Sequence, residues 1–152
     1  MNIKNVDGFN TELYLDSNIF LNVWFEEMIK FGEIFSSSKR LLEEVTECKF
    51  HLVISELTFS ELSQKTELPK EVIFDEFFKI YQVLKKLKIV KISKKVADDA
   101  IYFGSSYGIH AADALHAMMA KSNKCVLVTR DIELRFAALK YGLDVVRPEE
   151  II

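Results

Sequence analysis

The chain is short of the residues that divide or staple a protein. It holds two prolines and five glycines in 152 residues, and no linker rich in Pro, Gly or Ser separates one part from another. One domain over residues 1–152 is therefore expected. Cys48 and Cys125 are the only cysteines. They lie far apart without a second Cys or a His at zinc-finger spacing, which excludes a structural zinc and reads as two buried, reduced thiols. Every apolar stretch is broken by charge well short of the about 18 residues that a membrane span needs. The opening Met-Asn-Ile-Lys-Asn-Val-Asp has no charged-then-apolar leader pattern. A cytoplasmic protein without a membrane segment is expected. Neither sign of charge dominates: 20 Lys and Arg stand against 23 Asp and Glu, a formal net charge of −3. That excludes a general, basic nucleic-acid coat protein while leaving room for a local basic groove. Neither a Gly-x-Ser-x-Gly elbow nor a Gly-x-x-x-x-Gly-Lys phosphate loop occurs.

What is present is alternation. Short, continuously apolar runs at Leu13–Asp16, His51–Ile54, Ile89–Ile92, Cys125–Thr129 and Asp144–Val146 read as strands. Between them lie helical stretches. The stripe Ile19, Val23, Met28, Phe31, Phe35 predicts a helix from Ile19 to Phe35, and Ser36-Ser37-Ser38 can cap another over Lys39–Cys48. Further helices are expected at Leu57–Thr66, Lys70–Lys88, Val96–Tyr107, His110–Lys121 and Ile132–Lys140, with Pro69 opening one and Gly108 ending another. Strands alternating with helices and no hairpin signal predict an α/β fold, a three-layer α/β/α sandwich around a short parallel sheet. In such sheets a ligand site lies beyond the carboxyl ends of the strands.

Four acids sit where folding alone does not ask for them. Asp16 ends Leu13-Tyr14-Leu15, Glu61 lies in Leu57-Thr58-Phe59-Ser60-Glu61-Leu62, Asp113 interrupts Ala111-Ala112-Asp113-Ala114-Leu115, and Asp131 follows Val126-Leu127-Val128. Buried carboxylates cost free energy unless positive charge compensates them. Gathered together they repel, their pKa values rise, and a divalent cation is the usual remedy. Mg²⁺ and Mn²⁺ prefer oxygen ligands, and such a site serves metal-assisted phosphodiester hydrolysis.

These segments resemble the PIN-domain nucleases. Leu15-Asp16-Ser17-Asn18-Ile19-Phe20-Leu21 is similar to the first motif of that family, Ile54-Ser55-Glu56-Leu57-Thr58-Phe59-Ser60-Glu61-Leu62 to the second, Ala112-Asp113-Ala114-Leu115-His116-Ala117 to the third, and Leu127-Val128-Thr129-Arg130-Asp131 to the fourth. The resemblance spans roughly residues 12–147. It implies a hydrolase, an Mg²⁺- or Mn²⁺-dependent ribonuclease, with Asp16, Glu61, Asp113 and Asp131 as catalytic and metal-binding acids. Ser17, in place of the family's common threonine, and Thr129 would be supporting hydroxyls, with Asn18 and His116 nearby. Many small members are VapC-like toxins, so the implied partners are an RNA substrate, an antitoxin protein and a second copy in a homodimer.

Each of these residues also has a plain structural role open to it. Asp16 and Asp131 suit helix N-caps, and Arg130 can pair with Asp131 on the surface. Thr58-x-x-Glu61 fits a capping box, Glu56 and Asp113 suit a first helical turn, and His116 suits a core histidine donating to a carboxylate. Lys79, Lys85, Lys86, Lys88, Lys91, Lys94 and Lys95 can neutralise RNA phosphates or simply solvate a face, and Lys39, Arg40 and Arg130 are further candidates. Phe74 and Phe78 widen one helical stripe toward self-association or an antitoxin surface. Two other functions compete. One is a non-catalytic PIN-fold module that binds RNA or protein. The other is a haloacid-dehalogenase-type phosphatase, which wants an Asp where Asn18 stands.

Overall fold

The computed structural model describes residues 12–24, 40–43, 50–80 and 87–151, with backbone alone at 22–24 and 76–80. In chain order the elements are β1 (Glu12–Leu15), α1 (Ser17–Trp24), β2 (His51–Ser55), α2 (Glu56–Thr66), α3 (Lys70–Ile80), β3 (Leu87–Val90), α4 (Lys94–Tyr107), α5 (Ala111–Ser122), β4 (Val126–Val128), α6 (Ile132–Tyr141) and β5 (Val145–Val146). A 3₁₀ turn over Pro148–Glu150 follows. The strands form one five-stranded sheet in the order β3-β2-β1-β4-β5, every pair parallel. This is the α/β/α architecture that the alternation of apolar runs and helical stripes predicts.

The start of β3 differs from expectation. Leu87 and Lys88 continue the stripe of the preceding helix by spacing, yet they form the start of β3, with Leu87 opposite Leu52 and Lys88 opposite Val53. Pairing along the sheet edge overrides a helical propensity that is only a weak prior. Expectations at Phe25, Met28, Phe31, Phe35, Lys39, Cys48, Tyr81, Leu84, Lys85 and Lys86 fall outside the described residues, and the side chains of Phe77, Phe78 and Lys79 do too.

The strict two-residue period of the strands builds two cores. Leu13, Leu15, Leu52, Ile54, Val126 and Val128 face one side, where they meet Ile19 and Phe20 of α1, Phe59 and Leu62 of α2 and Ile73 of α3. Tyr14, Val53 and Leu127 face the other, against Val96, Ala100 and Phe103 of α4, the small residues of α5, and Leu134, Ala137 and Ala138 of α6. Both faces are covered, which is why these strands read as unbroken apolar runs.

The second layer is packed closely. A Cβ added at Gly104 would lie 3.0 Å from the Ile109 carbonyl oxygen and 3.3 Å from Ala114 Cβ, so only glycine lets α4 approach the start of α5 this nearly. Gly108 ends α4 at φ 67°, the left-handed conformation expected from the sequence. Phe103 is fully buried between two rings, 5.3 Å from Tyr107 and 5.2 Å from Tyr141 by centroid.

Candidate active site

From the central strand β1 the chain moves outward through β2 and β3, then returns to the other side for β4 and β5. The crevice at such a reversal, beyond the carboxyl ends of β1 and β4, is where open parallel sheets bind ligands. Asp16 leaves β1 at that point, and its N–H donates to the Val128 carbonyl across the crevice, 3.0 Å away. Its side chain is 2% exposed. The carboxylate accepts two hydroxyl hydrogen bonds, Ser17 Oγ to Oδ1 at 3.5 Å and Thr129 Oγ1 to Oδ2 at 3.1 Å. Thr129 Oγ1 also accepts the Asp131 N–H at 3.1 Å, so one hydroxyl ties the two strand-end acids together. Asp131 does serve as an N-cap: its Oδ1 accepts the Leu134 N–H of α6 at 3.0 Å. Arg130 pairs with Glu149 at 2.8 Å.

Glu61 enters from α2. The helix begins earlier than the apolar spacing suggests, with Ser55 as N-cap, so Thr58 stands at its third position and accepts the Ser55 N–H at 3.5 Å. Glu61 is thereby released from the expected capping box. It accepts instead from His116 Nε2 of α5. Burial alone would raise the Glu61 pKa, but the His116 hydrogen bond and charge, the Lys65 charge and a hydrogen bond from Ser17 together lower it. His116 is wholly buried. Burial opposes its charge most strongly, yet the Glu61 hydrogen bond and the negative charges of Asp16, Glu61 and Asp113 raise its pKa. The ring's other nitrogen, Nδ1, lies 2.6 Å from the hydroxyl of Tyr14, which lies 2.8 Å from Ser55 Oγ.

Asp113 stands in the first turn of α5. Burial, the charges of Asp16 and Asp131 and, against the pull of His116, that of Glu61 raise its pKa from 3.8 to about 6. Asp113 thus lies within electrostatic reach of Asp16, Asp131 and Glu61. Among the described residues no group of three or more His, Cys, Asp or Glu stands close enough together to hold a metal ion. The donor set is nonetheless entirely carboxylate oxygen, the set that suits Mg²⁺ or Mn²⁺, and Asp113 carries the charge conflict that such an ion relieves.

The sign of that conflict gives a test. The folded-state pKa of Asp113 lies above its unfolded value, so its ionisation costs stability that builds up between about pH 4 and 6, is complete above 6, and vanishes well below pH 4, where both states are protonated. Asp113→Asn is expected to stabilise the metal-free protein at pH 7 by about 1–2 kcal/mol after discounting for its half exposure, a rise of roughly 3–6 °C in Tm. The gain should fade as pH falls from 6 to 4. Thermal melts of both proteins in chelator across that range check it, and a gain that persists at pH 4 would contradict it.

Other expected residues separate from these acids. Asn18 is exposed and its Oδ1 accepts from Lys65 Nζ at 2.9 Å. Glu56 is exposed in the first turn of α2, as expected, and also accepts the Ile92 N–H at 3.1 Å. Lys91, Lys94 and Lys95 follow β3 and so stand at the same end of the sheet as Asp16 and Asp131, all exposed, whereas Lys88 lies within β3. Cys125 is a buried free thiol whose pKa is pushed up to about 12, chiefly by burial. Tyr14 and Ser55 were not anticipated in the site. The available signal was a phenol in an apolar central strand beside Asp16, since a buried tyrosine hydroxyl needs a partner.

A sequence profile of the PIN domain matches residues 13–140. No curated protein matches the chain. Among solved structures it is similar to a toxin–antitoxin complex from Klebsiella pneumoniae, at 19% identity and a TM-score of 0.59, covering 90% of this chain and 97% of that one. It is similar to VapBC2 from Rickettsia felis bound to a promoter DNA fragment, at 18% identity and a TM-score of 0.62, covering 90% and 98%. FitAcB from Neisseria gonorrhoeae is similar at 20% identity and a TM-score of 0.58, covering 90% and 98%.

Proposed function

The chain belongs to the PIN-domain family, a family of nucleases, and on that premise we propose that it is an Mg²⁺- or Mn²⁺-dependent endoribonuclease. The observation that supports this most is the hydrogen-bond link at the ends of β1 and β4, where Thr129 Oγ1 donates to Asp16 and accepts the Asp131 N–H, with Asp113 within electrostatic reach of both acids. Asp16, Glu61, Asp113 and Asp131 would hold the ion. A bound divalent cation polarises a phosphoryl oxygen and lowers the pKa of its water. The protein's own part is to aim the ligands. Ser17 and Thr129 fix Asp16 from both sides, Thr129 and the α6 amide fix Asp131, and His116 fixes Glu61. Lys91, Lys94 and Lys95 supply positive charge along one rim for an RNA backbone.

Purified protein is expected to cut single-stranded RNA with added Mn²⁺ or Mg²⁺ and to stop in chelator. Binding of RNA without cleavage under every metal condition would favour the non-catalytic module. The phosphatase alternative has no support, since Asn18 is turned to solvent and held by Lys65.

A toxin role is part of the same proposal, supported by the toxin–antitoxin neighbours, and an antitoxin protein would be its partner. Cytoplasmic action belongs to the same proposal, because an RNA substrate and the free thiol of Cys125 both suit a reducing compartment.

A homodimer is also part of it. Along α6, Ile132, Phe136 and Leu139 are 69%, 64% and 40% exposed at i, i+4 and i+7. Exposed Glu133 and Lys140 flank that stripe at opposite ends. An antiparallel pairing of two α6 helices about a two-fold near Phe136 sets Glu133 of each copy against Lys140 of the other. A cleft of about 440 Å³ beside it, lined by Tyr107, Ile109 and Ala137, can take an apolar side chain. Wild type is expected to elute as a dimer in light-scattering chromatography. Phe136→Glu should be monomeric with little change in Tm, and a Phe136→Glu dimer would place the interface elsewhere.

A further inference from the structure

We propose that Tyr14 is a positioning residue for the acidic site, acting through His116 to hold Glu61 in a metal-binding orientation. This rests on the metallonuclease reading only for what Glu61 does; the chain of contacts stands on its own. Tyr14 is wholly buried on the central strand, and its hydroxyl lies 2.6 Å from His116 Nδ1 and 2.8 Å from Ser55 Oγ. His116 is equally buried, 55 residues beyond Glu61 in sequence, and its Nε2 bonds Glu61 Oε1. The two rings meet at a tilt of 55° with centroids 5.5 Å apart.

A phenol suits this place because it can donate to a neutral imidazole and accept from a charged one. In either case Nδ1 is occupied, Nε2 keeps its hydrogen, and that hydrogen points at Glu61. Phenylalanine would fill the same volume and supply neither function. Without its anchor the ring is free to turn, and Glu61 loses the partner that sets its direction. Groups behind metal ligands contribute in this way, and removing one typically weakens metal affinity by about 10–100-fold.

The experiment compares wild type, Tyr14→Phe and Tyr102→Phe. Mn²⁺ affinity is measured by electron paramagnetic resonance, and folding by circular dichroism and melting. Tyr14→Phe is expected to remain folded and to bind Mn²⁺ about tenfold more weakly. Tyr102→Phe, at an exposed tyrosine of α4 far from these contacts, should bind within about twofold of wild type. Tyr14→Phe that melts lower but binds Mn²⁺ like wild type would show a merely structural hydrogen bond and overturn the proposal. A wild type that binds no Mn²⁺ sinks the metallonuclease reading instead, a separate outcome. Should Tyr14→Phe fail to fold, ¹⁵N spectra of wild-type His116 decide: hydrogen retained on Nε2 through the titration supports the anchor, and a neutral ring protonated only on Nδ1 overturns it.

Discussion

Asp16→Asn is expected to lower metal-dependent RNA cleavage by about a hundredfold or more, because a charged ligand worth several kcal/mol to a developing phosphoryl charge is lost. The fold should survive. Asparagine keeps one acceptor, and Thr129 is the better claimant, since its oxygen already accepts the Asp131 N–H and its proton must go outward. The new amide then faces Ser17, whose oxygen can accept while its proton turns wholly to Glu61, a contact it already makes. No buried group is stranded, so Tm should move by no more than a few degrees. Gel assays on a mixed RNA substrate with Mn²⁺, beside a melt, check both halves. Cleavage within about threefold of wild type would remove Asp16 from the chemistry.

Phe103→Ala should cost about 3–5 kcal/mol, the range for emptying a fully buried aromatic site. Two features keep the hollow from closing. Tyr107 and Tyr141 pack on the ring from different helices, and α4 is held close to α5 where Gly104 meets Ala114. Small domains have only about 5–15 kcal/mol in hand, so a Tm drop of roughly 10 °C or more is expected. Ala114 follows Asp113 directly, so loosening this layer should also weaken Mn²⁺ binding. Urea unfolding measures the first effect, and a loss below about 1 kcal/mol would show that the layer repacks.

The parts of the site that were legible in the sequence are those written locally. Asp16 and Asp131 each follow a short apolar run, and the end of a parallel strand is where such sheets place ligands. Asp113 stood out because a charge among alanines has few structural reasons to be there. Glu61 could be located by resemblance but not interpreted, because the same Thr58-x-x-Glu61 spacing also writes a capping box. What decided it was a helix starting at Ser55, and a histidine on another helix. Tyr14 was hidden for a related reason: its strand reads as apolar, and the partners of its hydroxyl lie 41 and 102 residues away. Asn18 shows the opposite failure, adjacent to Asp16 and Ser17 in sequence but rotated to solvent by the first turn of α1. Leu87 and Lys88 kept a helical spacing that pairing with β2 overrode.

The sheet order also bears on synthesis. Among the described strands β1 comes first and lies in the middle, and one of its two edges waits for β4, more than a hundred residues later. A nascent chain on the ribosome can pair β1 with β2 early, but it cannot bring Thr129 to Asp16 until β4 has emerged, so the two strand ends that carry Asp16 and Asp131 are joined late in folding.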